Sequence, residues 1–165
     1  MEKKWYVIKT LSRSEKKTIS RLELLNYKCF LPLIKTIKQW SDRKKKVEEP
    51  LIPGVVFVYC FENELSTLYN IQSIHSILKF LNKPAIVKDR EIQNLKILTN
   101  QSIDLINKEN IFYFGDTVKI IKGPFTGLIG SCLKDERNYK LFIQIESLNH
   151  SFSINISKSF VKSID

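Results

Sequence analysis

The last third of the chain constrains the fold most. Asp116 to Lys122, Leu128 to Leu133, Tyr139 to Ile145, Phe152 to Ile156 and Phe160 to Ser163 are short runs rich in β-branched and aromatic residues. Gly123-Pro124, Gly127, Asp135-Glu136-Arg137-Asn138 and Asn149-His150 separate them, and Gly, Pro, Asn and Asp are the residues that turns require. Five short strands within about fifty residues bury their apolar faces only by closing on one another, so a small all-β barrel is expected from 114 to 165.

The first hundred residues read differently. Trp5-Tyr6-Val7-Ile8 is a compact aromatic and β-branched run, suited to a buried opening strand. Ser12-Arg13-Ser14-Glu15 offers helix-capping residues, and Ile19, Leu22 and Leu25 then recur every third position among Lys16, Lys17 and Arg21. That pattern predicts an amphipathic helix with a basic outer side, ended by Asn26 and Tyr27. Cys29 to Ile34 is a second strand candidate. Lys35 to Glu49 reads as a β-hairpin with Ser41-Asp42 at its centre and Arg43, Lys44, Lys45 and Lys46 at its tip. Pro50 to Gly54 bends the chain into Val55 to Tyr59, a continuous apolar run that fits a central strand.

A helix from Glu62 to Ile71, a strand from His75 to Phe80 and a helix capped by Asp89 that holds Ile92, Leu95 and Leu98 complete the series. The order predicts an α+β sandwich over residues 1–100, with helices on a mostly antiparallel sheet. Residues 101–113, mainly polar, are expected to be a linker.

Composition narrows the function. With 43% hydrophobic and 27% charged residues the chain has enough apolar surface to fold, no apolar run approaches the roughly 20 residues that span a bilayer, and the N-terminus lacks a signal-peptide pattern. A cytoplasmic, monomeric protein without membrane contact is expected. The formal charge is +10, and residues 1–50 hold most of the excess, with 14 Lys and Arg against 6 Asp and Glu. A localised positive field attracts phosphate backbones.

Catalysis has little support. Cys29, Cys60 and Cys132 are far apart, and neither His75 nor His150 lies near a cysteine, so neither a metal nor any other cofactor is expected. Glu48 and Glu49 are adjacent on a strand, point to opposite faces and make a poor acid/base pair. Gly123, Gly127 and Gly130 precede no helix that could hold a phosphate, and are expected to serve turns and close strand packing with Pro124 and Phe125.

Several segments then become recognisable. WYVIKTLSRSEKK, CFLPLI and PLIPGVVFV resemble, in that order, the N-terminal domain of the NusG family, and VKIIKGPFTGLIG resembles the KOW motif that opens the family's C-terminal SH3-like barrel. Within the family, IKQWSDRKKKVEEPLIPGVVFV looks most like the UpxY-type antiterminators associated with surface-polysaccharide operons. The resemblance implies a ferredoxin-like N-terminal (NGN) domain, a KOW domain, and a transcription elongation and antitermination factor that is not an enzyme. It implies an apolar surface that grips the coiled coil of the RNA polymerase clamp, for which Tyr6, Ile8, Val55, Phe57 and Phe80 are the candidates.

Arg13, Lys16, Lys17, Arg21, Arg43, Lys44, Lys45 and Lys46 are candidates for contact with non-template or upstream DNA or nascent RNA. Trp40 is either a base-stacking residue or a pin for the hairpin. Val55 stands where the family commonly has Tyr, and Ile52 where many members have Phe. Leu148-Asn149-His150 stands in the loop where many relatives carry a Phe-Gly-Arg sequence that contacts Rho or a ribosomal protein, a departure at that contact. A ribosome-associated or RNA-binding KOW protein is the alternative.

Overall fold

The Trp5 to Ile8 run becomes the middle of a sheet because its side chains are apolar on both faces, each 4% exposed or less. In the computed structural model, residues 2–39, 44–100, 106–109, 115–134 and 139–164 are described. Packing separates residues 1–89 from residues 90–165.

In the first unit, β1 (Lys4–Thr10), α1 (Glu15–Leu24), β2 (Lys28–Phe30), β3 (Leu33–Gln39), β4 (Lys44–Pro50) and β5 (Val55–Cys60) are followed by α2 (Leu65–Leu68), β6 (Ile74–Ile77), β7 (Lys79–Phe80), β8 (Lys83–Pro84) and β9 (Ile86–Val87). The sheet order is β2-β5-β1-β6, all antiparallel, with β9 pairing the start of β1. β3 and β4 form a separate hairpin, and β7 and β8 another.

Strand register decides what each face carries. Tyr6 stands opposite Val58, Ile8 opposite Val56, Val7 opposite Phe57 and Lys9 opposite Val55. Cross-strand partners share a face and successive residues alternate. Tyr6, Ile8, Val56, Val58 and Cys60 therefore face one way, where they are buried with Leu22 of α1 and Leu65 and Leu68 of α2. Trp5, Val7, Val55 and Phe57 face the other.

The first helix buries Glu15, Thr18 and Leu22, at spacings of three and four. Leu25, expected on the inner side, is 56% exposed, because the helix ends at Leu24 and Asn26 takes a left-handed φ of 62°. Two polar contacts fix the helix instead. The Gly54 N–H donates to Glu15 Oε1 at 2.8 Å, and Thr18 Oγ1 bonds Ser73 Oγ at 2.8 Å. Ser14, although in the capping position, makes no side-chain cap bond.

The second unit holds α3 (Asp89–Thr99) and β10 (Ile106–Glu109), β11 (Asp116–Ile120), β12 (Ile129–Lys134), β13 (Tyr139–Ile145), β14 (His150–Ile156) and β15 (Val161–Ser163). The strand order β10-β14-β13-β12-β11-β15 includes counterparts of all five expected runs, in the antiparallel all-β architecture expected of the KOW region.

Two boundaries differ from expectation. Ile106–Glu109, inside the segment read as linker, pairs with β14, although Asn, Lys and Glu give it little strand propensity. Main-chain pairing to a neighbouring strand supplies what the side chains do not. In addition, α3 groups by packing with the strands that follow it. Asn94 Nδ2 donates to the Ile129 carbonyl at 2.8 Å, the Ile129 N–H returns a bond to Asn94 Oδ1 at 3.3 Å, and the Glu146 N–H donates to Glu91 Oε1 at 2.8 Å.

The glycine-rich segment serves turns, as expected. Gly123 and Gly127 take φ of +89° and +96°, and Gly127 N–H closes the turn on the Ile120 carbonyl at 2.9 Å while Phe125 is buried beside it. Gly130 has a different need: a Cβ there would collide with the backbone carbonyl oxygen of Phe142. Gly130→Ala is expected to destabilise the second unit by about 3 kcal/mol, the upper range of overpacking costs. Gly54→Ala, where a Cβ meets nothing within 4 Å but φ is +73°, is expected to cost about 1 kcal/mol. Urea titration of the two variants checks the order.

Candidate functional site

The basic first helix and the hairpin, distant in sequence, meet at one ion pair. Lys16 Nζ is 3.9 Å from Glu48 Oε2, and both side chains are at least half exposed. Such a pair contributes little stability; its value is as a marker that α1 and β4 are neighbours. Lys17 is exposed and Arg21 half-buried on the same helix, and Arg13 sits exposed in the turn before it with φ of 55°.

On β4, Lys44, Lys45 and Lys46 are all exposed, and alternation sends Lys45 to the face opposite Lys44 and Lys46. The hairpin therefore offers cations on both faces. Trp40 and Arg43 lie outside the described residues.

The apolar set does not come together as one surface. Tyr6 and Ile8 are 1% and 0% exposed and belong to the cluster beneath α1 and α2. Val55 and Phe57, from the odd positions of β5, lie on the other face and are equally buried, with the Phe57 ring stacked on Phe30 at 6.1 Å. Period-two alternation makes a single surface from Tyr6, Ile8, Val55 and Phe57 impossible. Only Phe80 of the five is exposed, at 70%.

Beside Phe80 the structure adds a residue that the sequence reading missed. Leu81, 83% exposed, and Asn82 join β7 to β8 with φ of 49° and 62°. Two left-handed residues make the turn type favoured by tight hairpins, for which Asn is suited and Leu is not. A leucine held there is strained by about 1 kcal/mol and faces solvent, so it adds little to stability. The available signal was the apolar pair Phe80-Leu81 between Lys79 and Lys83, directly before Asn82.

Thiol chemistry is not favoured by the geometry. Burial pushes the Cys29 thiol up to about 11 and the Cys60 thiol to about 12, with Glu23 and Glu64 respectively adding to the effect. Thiolate is the reactive form, so alkylation of Cys60 at neutral pH is expected to require unfolding, as mass spectrometry after an iodoacetamide pulse with and without urea would show. Among the described residues no group of three His, Cys, Asp or Glu is placed to hold a metal, and no helix is long and apolar enough to cross a membrane.

In the second unit the Leu148-Asn149-His150 segment leaves a short 3-10 turn, with Asn149 left-handed at φ of 52° and the His150 ring 6.2 Å from that of Phe152.

Residues 3–96 match the family model described as transcription termination factor NusG. The chain therefore belongs to the NusG family of transcription termination and antitermination factors. It is 28% identical to the transcription termination/antitermination protein NusG of Pseudomonas aeruginosa, with 97% of each chain covered. It is 24% identical to the protein of the same name from Buchnera aphidicola, over 98% of this chain and 96% of that one. The solved structure described as domain interaction in Thermotoga maritima NusG is similar at 26% identity and a TM-score of 0.50, covering 100% of this chain and 99% of the other. The family match runs through most of α3, which by packing sits with the second unit.

Proposed function

We propose that this protein is a specialised antiterminator that binds elongating RNA polymerase at the clamp coiled coil through its N-terminal unit and reaches nucleic acid with its basic side. The observation that carries the reading is the Lys16–Glu48 contact, which sets α1, bearing Lys16, Lys17 and Arg21, beside β4, the strand that bears Lys44 to Lys46. Lysines set affinity and register through phosphates, not sequence, and non-template or upstream DNA is their target in this reading.

The polymerase contact centres on Phe80 and Leu81, the exposed apolar tip of the β7–β8 hairpin. A few desolvated apolar side chains dominate the energy of such an interface. Val55 and Phe57 support the sheet from within and do not touch the partner. Binding clamp and nucleic acid together favours the closed, pause-resistant polymerase, because a ligand stabilises the state it binds better. The resemblance of the IKQWSDRKKKVEEPLIPGVVFV segment to UpxY-type proteins supports service on a long surface-polysaccharide operon in the cytoplasm.

Single-round transcription across a terminator tests the reading. Added protein is expected to raise read-through, and unchanged termination at saturating protein contradicts it.

A further inference from the structure

A cleft of about 490 Å3 opens at the N-terminal end of β1, lined by Glu2, Lys4, Tyr6, Glu62 and Asn63. Strand alternation sets Lys4 and Tyr6 on one face, and Glu2, just ahead of β1, joins them in lining the cleft. The pairing of Lys4 with Cys60 brings the chain leaving β5 against that face, so Glu62 and Asn63 form the opposite wall. The wall is held in place. Phe61 N–H donates to Glu64 Oε2 at 2.7 Å, Ser66 Oγ donates to the Asn63 carbonyl at 3.2 Å, and Lys3 Nζ sits 5.0 Å from the centre of the Phe61 ring. Glu64 is thus occupied internally, while Glu62 is left to the cleft.

The floor residue is the informative one. Tyr6 is 1% exposed, and its hydroxyl has no hydrogen-bond partner among the described residues. Ser153 Oγ is the one fully enclosed side-chain oxygen or nitrogen among them that lacks a partner, so the Tyr6 hydroxyl, also unpartnered, keeps its trace of exposure through the cleft. Burial, and after it the Glu62 carboxylate, raises its pKa, in keeping with an acidic recess. Buried phenols ordinarily find a partner.

We infer that this cleft receives the guanidinium of an arginine side chain from a protein partner. Two carboxylates, a phenol oxygen and an amide oxygen converge as acceptors, against the single ammonium of Lys4. A phosphate would meet Glu2 and Glu62 and be repelled. Guanidinium presents five donors in a planar fork that suits such a set better than the compact ammonium of lysine. On a chain of formal charge +10 an acidic recess is a local exception, and it rewards a cation that the surrounding surface turns away. The recess lies on the α1 and α2 side of the sheet and does not include Phe80 or Leu81.

An NMR titration of the full chain with N-acetyl-argininamide, and with its neutral citrulline analogue, tests the assignment. Saturable shifts confined to Glu2 through Tyr6 and Glu62-Asn63 are expected, with a millimolar constant and about tenfold weaker citrulline binding, since charge-assisted bonds are the stronger kind. Glu62→Gln and Tyr6→Phe are expected to weaken binding several-fold with unchanged thermal melts. Glu62 is exposed, so the first variant cannot act by unfolding. Absence of saturable shifts, equal binding of the citrulline analogue, or full affinity in both variants would overturn the proposal.

Discussion

Phe57→Asp is expected to unfold the N-terminal unit. Phe57 is 0% exposed, paired with Val7 across the two central strands and stacked on Phe30. Truncating such a residue to alanine costs about 3–5 kcal/mol, and a buried unpaired carboxylate adds a desolvation penalty. Domains of this size are stable by only about 5–15 kcal/mol. Loss of amide dispersion and of the cooperative urea transition would show it, whereas a folded Phe57→Asp protein would mean that the site is not core. A loss of polymerase binding in this variant reports on folding, not on contact.

The second large effect concerns charge. Reversing Lys44, Lys45 and Lys46 together to glutamate replaces the three exposed cations of β4, and stability should move little. DNA affinity should fall steeply. If the three lysines each neutralise one phosphate, the slope of log affinity against log salt should flatten by about 3 units. Fluorescence anisotropy with a short duplex at several salt concentrations reads both quantities. An unchanged slope would remove the hairpin from the nucleic-acid interface, and retained read-through after the triple change would make it dispensable.

Element types were legible because they depend on local pattern. The Trp5 to Ile8 and Val55 to Tyr59 runs fell into central strands, and the turn glycines of the second unit behaved as their spacing implied. Boundaries and partners were less legible. Leu25 continued the apolar spacing of α1 but lies beyond the helix end, and Ile106–Glu109 is a strand through pairing that its own residues do not announce.

The candidate site divided along the same line. Exposure of Lys44 to Lys46 followed from their position near a polar hairpin tip, while the approach of their strand to α1 depended on tertiary structure that Lys16 and Glu48 reveal only in three dimensions. The apolar set failed for a simpler reason. Tyr6 and Ile8 stand at even positions of β1, while Val55 and Phe57 pair with its odd positions Lys9 and Val7, so the register puts the two pairs on opposite faces. Leu81 went unnoticed because its left-handed backbone, which makes its exposure meaningful, has no signature in the residue itself.

Binding to assembled elongation complexes tests the central claim most directly, comparing the native chain with Phe80→Asp. Phe80 lies on an exposed hairpin, so this variant should keep its fold. The expected result is co-elution of the native chain with polymerase and loss of at least about tenfold in affinity for Phe80→Asp, as for a central contact residue. A native chain that ignores elongating polymerase while binding free RNA or ribosomes tightly would contradict the account.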